Sequence, residues 1–155
     1  MTNTMQQGQQ PLPAEQLVGT WRLLSCEGRS ESGEVIYPYG EETVGMLMYD
    51  AAGNMSVMLM RRGRPHFASG DLAGGTPQEL KAAFEGFDAY CGRYTLDGAT
   101  GTVTHHVLAS KFPNWVGTEQ DRYASVSGDT LDLSSPPLTV RGEAWIISLV
   151  WQRVS

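Results

Sequence analysis

Short runs of β-forming residues recur along almost the whole chain, each bounded by glycine, proline, asparagine, aspartate or serine, and this spacing limits the fold more than any other feature. The runs are LVGTWRLLSCEG (17–28), VIYPYG (35–40), TVGMLMYD (43–50), NMSVMLMR (54–61), GRYTLD (92–97), GTVTHHVLAS (101–110), GTEQDRYASV (117–126), DTLDLS (129–134) and EAWIISLVWQRV (143–154). About nine strands joined by short turns can pair with their neighbours as an antiparallel meander. The turns AAGN, DGATG and SGD supply residues that tolerate tight backbone reversal. An all-β barrel or sandwich is the expected class.

One segment interrupts the strands. In TPQELKAAFEGFDAYC, Thr76 is placed as an N-cap, Pro77 at the first helical position and Glu79 three residues after the cap, which is a capping box. Leu80, Ala83, Phe84, Phe87 and Cys91 continue at helical spacing, so a helix over 76–91 with one apolar stripe is predicted. Such a helix either packs on the barrel as a wall or closing element, or covers a cavity as a lid.

The 155 residues suit one domain with a single core. The first thirteen, MTNTMQQGQQPLP, contain no Lys, Arg or apolar run, and are expected as a disordered polar tail (1–13) preceding the domain (14–155). That start lacks the features of a secretory signal, which points to a cytoplasmic protein. No apolar stretch approaches the ~20 residues of a membrane-spanning helix. A formal net charge of −6 with scattered Lys and Arg argues against nucleic acid as a partner. Cys26 and Cys91 lack metal-site spacing and are read as free thiols.

LVGTWRLL places a Gly-x-Trp on the first strand, and LVWQRV ends the last strand with an arginine, so Arg153 is expected to lie over Trp21 as a barrel-end pair. With the segments YPYGEETVGMLMYDAAGNMSVMLMRRGRPHFASGDLAGGT and YCGRYTLDGATGTVTHHVLASKFPNWVGTEQDRY, the chain from about Leu17 to Val154 resembles the bacterial lipocalin-like domain family. The resemblance implies an antiparallel up-and-down calycin-like barrel of about 8–10 strands with one short helix. It implies no general activity.

Several residues are candidates for a cavity. His105 and His106 are adjacent on one strand and must face opposite sides. His105 shares its side with Val103, Val107 and Ala109, the more apolar set, and is therefore the one expected inside. An interior histidine is a candidate general acid or base; the alternative is a purely structural hydrogen bond. Met46 and Met48 share one face, as do Met58 and Met60, so the hairpin either presents a deformable sulfur-rich patch to a ligand or fills a core. In KFPNWVG, Trp115 and Asn114 either line a ligand or close the barrel end and shape a turn. Arg61, in RRGRPHF, either meets an anionic group at the mouth or is solvated. Tyr39, Tyr94 and Arg122 are further candidate donors. No metal-ligand spacing and no cofactor fingerprint occurs, so neither metal nor cofactor is expected.

Three functions fit these residues. The first is a barrel binding a small apolar or aromatic molecule in its interior. The second is a cofactor-independent enzyme of isomerase, cyclase, hydratase or decarboxylase type, with His105 or His106 moving a proton. The third is an interaction protein with a filled barrel. A homodimer is compatible with each. Interior polarity separates them, since catalysis requires several converging polar groups and a carrier requires few.

Overall fold

The computed structural model describes residues 10–155. A short helix, α1 (Ala14–Leu17), leads into β1 (Gly19–Ser30), β2 (Val35–Ile36), β3 (Thr43–Tyr49) and β4 (Asn54–Arg61). Helix α2 (Pro77–Glu85) precedes β5 (Phe87–Asp97) and β6 (Thr102–Ser110), and a 3-10 turn at Pro113–Trp115 leads to β7 (Glu119–Ser127). The chain ends with β8 (Thr130–Ser134), β9 (Leu138–Val140) and β10 (Glu143–Arg153).

The strands run in the order β2-β1-β3-β4-β5-β6-β7-β8-β10-β9, and β1 also pairs with β10, from Trp21 opposite Arg153 to Ser30 opposite Trp145. This pairing closes an antiparallel barrel, leaving β2 and β9 as short additions on β1 and β10. Closure removes the free sheet edges that an open meander of this length would expose. β9, absent from the sequence reading, borders the open end, and only Val35–Ile36 of the expected strand at 35–40 is extended sheet.

Alternation sorts each strand into an inner and an outer face. On β4, Met55, Val57 and Leu59 are buried while Met58 is exposed; on β8, Leu131 and Leu133 are buried and Asp132 is exposed. Gly92, on β5, permits a close backbone approach, because a Cβ there would sit 2.0 Å from the carbonyl oxygen of His106. The β5–β6 register shifts at this point, between Cys91 and Gly92.

One end of the barrel is sealed. Trp21 is fully buried, its indole N–H donates to the Leu17 carbonyl at 3.0 Å, and the Arg153 guanidinium lies 4.2 Å from its ring centre. Arg153 also donates to the carbonyls of Val18 and Gln16, so one side chain ties the last strand to the segment entering the first. Residues 1–9 of the expected tail lie outside the described residues. The end of that tail is part of the domain: Leu12 is 3% exposed within the core, and its N–H donates to the Gly98 carbonyl at 2.8 Å.

Helix α2 has the predicted capping box, with Thr76 accepting from the Glu79 N–H and Glu79 accepting from the Thr76 N–H. It ends at Glu85, however, and the expected helical residues 87–91 begin β5. Phe87 and Cys91 fit helical spacing after Phe84, but from Phe87 onward the backbone pairs with β4, beginning with Phe87 opposite Met60. Gly86 is the break, its carbonyl accepting from the Arg61 N–H at 2.8 Å. None of the helix is fully buried. Its last turn is held at the open end by Arg64 and Lys111, which donate to the carbonyls of Ala83 and Phe84. Cations at these C-terminal carbonyls also meet the negative end of the helix dipole. Among the described residues, no helix is long and apolar enough to cross a membrane.

Candidate functional site

The open end leads into a cavity of about 550 Å³. Leu47, Val57, Leu59, Leu133, Leu149 and Trp151 form much of its apolar wall, and Tyr39, Phe84, Phe112, Trp115 and Leu138 stand towards the mouth. Polar lining residues include Arg61, Glu85, Lys111, Ser135, Thr139 and Arg141, and four more converge from neighbouring strands: Asp88 and Tyr90 from β5, His105 from β6 and Arg122 from β7. All four face inward by alternation, as the buried Tyr90, His105 and Arg122 confirm.

His105 is 2% exposed and is gripped at both ring nitrogens. The Tyr49 hydroxyl lies 2.6 Å from Nε2 and the Tyr90 hydroxyl 2.8 Å from Nδ1. Burial, reinforced by the positive charge of Arg122, pulls the imidazole down to about 3, so the ring is neutral at physiological pH. A neutral imidazole donates through one nitrogen and accepts through the other. Tyr49 is 2% exposed and does not border the cavity, so its proton has the imidazole as its partner. Stranding that proton would cost about 1–3 kcal/mol. Tyr49 therefore donates to Nε2, Nδ1–H donates to the Tyr90 oxygen, and the Tyr90 proton is left for the cavity.

Arg122 is 6% exposed and makes no ion pair among the described residues. It donates to the Asp121 carbonyl at 2.6 Å and its guanidinium lies 5.5 Å from the centre of the Trp115 ring. Trp115 meets Tyr90 edge to face at 5.5 Å, which fixes one aromatic wall above the polar base. Burial pushes the Tyr90 phenol up while the neighbouring Arg122 pulls it back, and the hydroxyl stays protonated as a donor. Burial likewise raises the Asp88 carboxyl, opposed by Lys111, its own strand's backbone, Tyr39 and Arg122. Cys26 borders the same region, and burial, with Asp88 and Glu27, pushes its thiol up to about 12, so it is an unreactive neutral group there.

The sequence candidates divide between this cavity and the outside. His105, Trp115, Arg122, Tyr39 and Arg61 border it, the last at the mouth. His106 faces outward, with Nε2 3.0 Å from the Thr95 hydroxyl and Nδ1 3.4 Å from Glu119. The expected methionine lining is corrected: Met46, Met48 and Met58 are exposed on the outer wall, and Met60 is half-buried there against Arg64. Their neighbours Gly45, Leu47, Tyr49, Val57 and Leu59 occupy the inner face, since both faces of this hairpin are apolar and closure of the cylinder decides between them. Tyr94 does not border the cavity; its hydroxyl donates to the Asp50 carbonyl at 2.6 Å, near the sealed end. Asn114 is exposed on the 3-10 turn, outside the lining.

Three residues of this polar set were missed. Asp88 and Tyr90 fell within the segment read as helix, although FDAYCGRY after Gly86 also alternates with period two. Tyr49 carried no local signal, because its partner is 56 residues away.

Residues 18–154, which include every strand of the barrel, match the lipocalin-like domain family. The chain belongs to that family. Among curated proteins it is similar to the 4'-hydroxy-3'-methoxypropiophenone carrier protein ppsC of Aspergillus oryzae, with 36% identity over 107 residues, covering 64% of this chain and 96% of that one. Among solved structures it is similar to a lipocalin-like protein from Bacteroides uniformis, at 14% identity and a TM-score of 0.45, covering 89% of this chain and 98% of that one. It is also similar to an uncharacterized protein from Bacteroides eggerthii, at 13% identity and a TM-score of 0.43, covering 88% and 98%.

Proposed function

We propose that this lipocalin-like barrel is a carrier of a small aromatic molecule bearing a hydrogen-bond acceptor, held inside the barrel with the acceptor at its polar base. The observation that carries this reading is the buried Arg122 guanidinium, unpaired by any carboxylate among the described residues and bordering the cavity beside Tyr90. A buried charge without a counterion is costly, and a carbonyl, phenolate or carboxylate oxygen on a ligand would satisfy it together with the free Tyr90 proton. The apolar and aromatic wall fits the remainder of such a molecule, and about 550 Å³ lies within the size range of small-molecule sites. The name of the Aspergillus oryzae relative, a carrier of an aryl ketone, agrees with this chemistry.

Titration with 4'-hydroxypropiophenone, followed by tryptophan fluorescence and by calorimetry, tests the reading. Saturable binding is expected, weakened roughly 10- to 150-fold in Arg122→Leu, the equivalent of losing one hydrogen bond to a charged group. Absence of saturable binding, or equal affinity in Arg122→Leu, would overturn it. The filled-barrel alternative is disfavoured by the cavity itself. Proton transfer by His105 is disfavoured by its two engaged nitrogens and its resistance to protonation.

A further inference from the structure

Two features of the polar groups in and behind the cavity wall are not explained by binding an acceptor oxygen. Asp88 is a half-buried carboxyl group, hydrogen-bonded to Tyr39, on the cavity wall, and Tyr49 and His105 are a buried hydrogen-bonded pair whose effect is to orient one phenol proton. A carrier of a neutral aromatic compound needs neither. Asp88 and Tyr90 are two residues apart on β5 and point the same way, which sets them roughly 6.5 Å apart along the strand. Arg122, from β7, is close enough to both for its charge to act on each. A carbonyl oxygen bonded to Tyr90 would thus place its neighbouring carbon towards Asp88.

We propose that the cavity enolises a bound carbonyl compound: Asp88 removes a proton from the carbon beside the carbonyl, while Tyr90 and Arg122 hold the oxygen as charge develops on it. This rests on the binding reading above, and assigns a reaction class to the same site. The C–H bond breaks and its electron pair forms the carbon–carbon double bond of the enolate. The carbonyl π pair moves to oxygen, where it meets the Tyr90 O–H and the Arg122 guanidinium. Asp88 carries the proton as a carboxylic acid and returns it, either to the same carbon, giving exchange, or to a conjugated carbon, giving isomerisation. No oxidant, reductant or cofactor is required.

Each group is suited to its part. Removal from water makes a carboxylate a stronger base towards carbon, and the nearby Lys111 charge favours its ionised form. Tyr90 accepts from Nδ1–H of His105, so its own proton is directed rather than free to rotate. Fixed donors aimed at developing negative charge are the largest contribution to catalysis in sites of this type. His105 and Tyr49 are positioning residues, acting on the substrate only through Tyr90. The Trp115 ring, packed on Tyr90 and beneath Arg122, provides a face for an aromatic substituent on the carbonyl carbon.

The test is proton exchange in deuterated buffer. Purified full-length protein is mixed with saturating 4'-hydroxypropiophenone, and loss of the methylene proton signal is followed by NMR, with binding titrated separately for every variant. Wild type is expected to exchange these protons faster than buffer alone. Asp88→Asn is expected to fall to the buffer rate, and Tyr90→Phe to slow exchange roughly 10²–10³-fold. Met46→Gln, on the outer wall, is expected to match wild type. Binding without exchange by wild type would overturn enolisation and leave the carrier function standing; absence of binding would overturn both. Exchange in a folded Asp88→Asn variant at the wild-type rate would remove Asp88 as the base.

Discussion

The Tyr90 hydroxyl sits 2.8 Å from Nδ1 of His105, a contact between strands whose direct register instead places Tyr94 opposite the histidine. Hydrogen-bond accounting makes this ring a neutral Nδ1–H tautomer that donates to Tyr90 and accepts from Tyr49. Nitrogen-15 correlation spectra of labelled protein should show that tautomer, unchanged as the pH is lowered until it approaches about 3. A tyrosine-to-phenylalanine change at position 49 should blur the preference, because either nitrogen can then carry the proton.

The same histidine makes the fold sensitive to acid. Its folded value of about 3 lies below its ordinary value of about 6.5. Between these limits the unfolded chain takes up a proton that the folded chain refuses, so stability is present above about 6.5 and is lost as pH falls towards 3, by at most about 1.4 kcal/mol per pH unit. Asp88 works in the opposite direction: its raised carboxyl gains a proton first in the folded state, so its contribution declines as pH rises through the folded value. Urea melts of wild type and His105→Gln across this window should differ in slope, with the variant flatter on the acid side.

Barrel closure depends on the sealed end. Trp21→Ala should cost about 3–5 kcal/mol by loss of a fully buried ring. Arg153→Ala should cost about 1.5–3 kcal/mol, since its guanidinium serves two carbonyls as well as the indole face. Arg153→Lys should recover little of this, because an ammonium lacks the planar fork. Denaturant unfolding gives the stabilities, and hydrogen exchange should show faster opening of Leu17 and Val18 in the arginine variants.

The outward methionines lead to a negative expectation with equal discriminating power. Met46→Gln and Met58→Gln should shift stability by no more than about 0.5 kcal/mol and leave the 4'-hydroxypropiophenone titration unchanged. Weakened binding in either variant would place the hairpin's outer face in the site.

Much of the scaffold could be read along the chain. Turn spacing and alternation indicate an antiparallel barrel, Gly-x-Trp with a terminal arginine marks its sealed end, and the capping box at Thr76 starts α2 where the structure has it. These are local or strictly periodic properties, determined by steric preference and by which neighbours a side chain has in sequence. The facing of the methionine hairpin is different in kind. Alternation states that Met46 and Met48 oppose Leu47 and Tyr49, but with apolar residues on both faces it does not say which set is inside. Pairing of β1 with β10 decides it, by curling the sheet in one sense. The end of α2 at Gly86 is decided similarly, by the hydrogen bonds that β4 offers to residues otherwise able to remain helical. The polar set is the furthest from sequence. Tyr49, Tyr90, His105 and Arg122 lie on four strands and meet only across the interior of a closed cylinder, where the low dielectric sets their protonation and their partners.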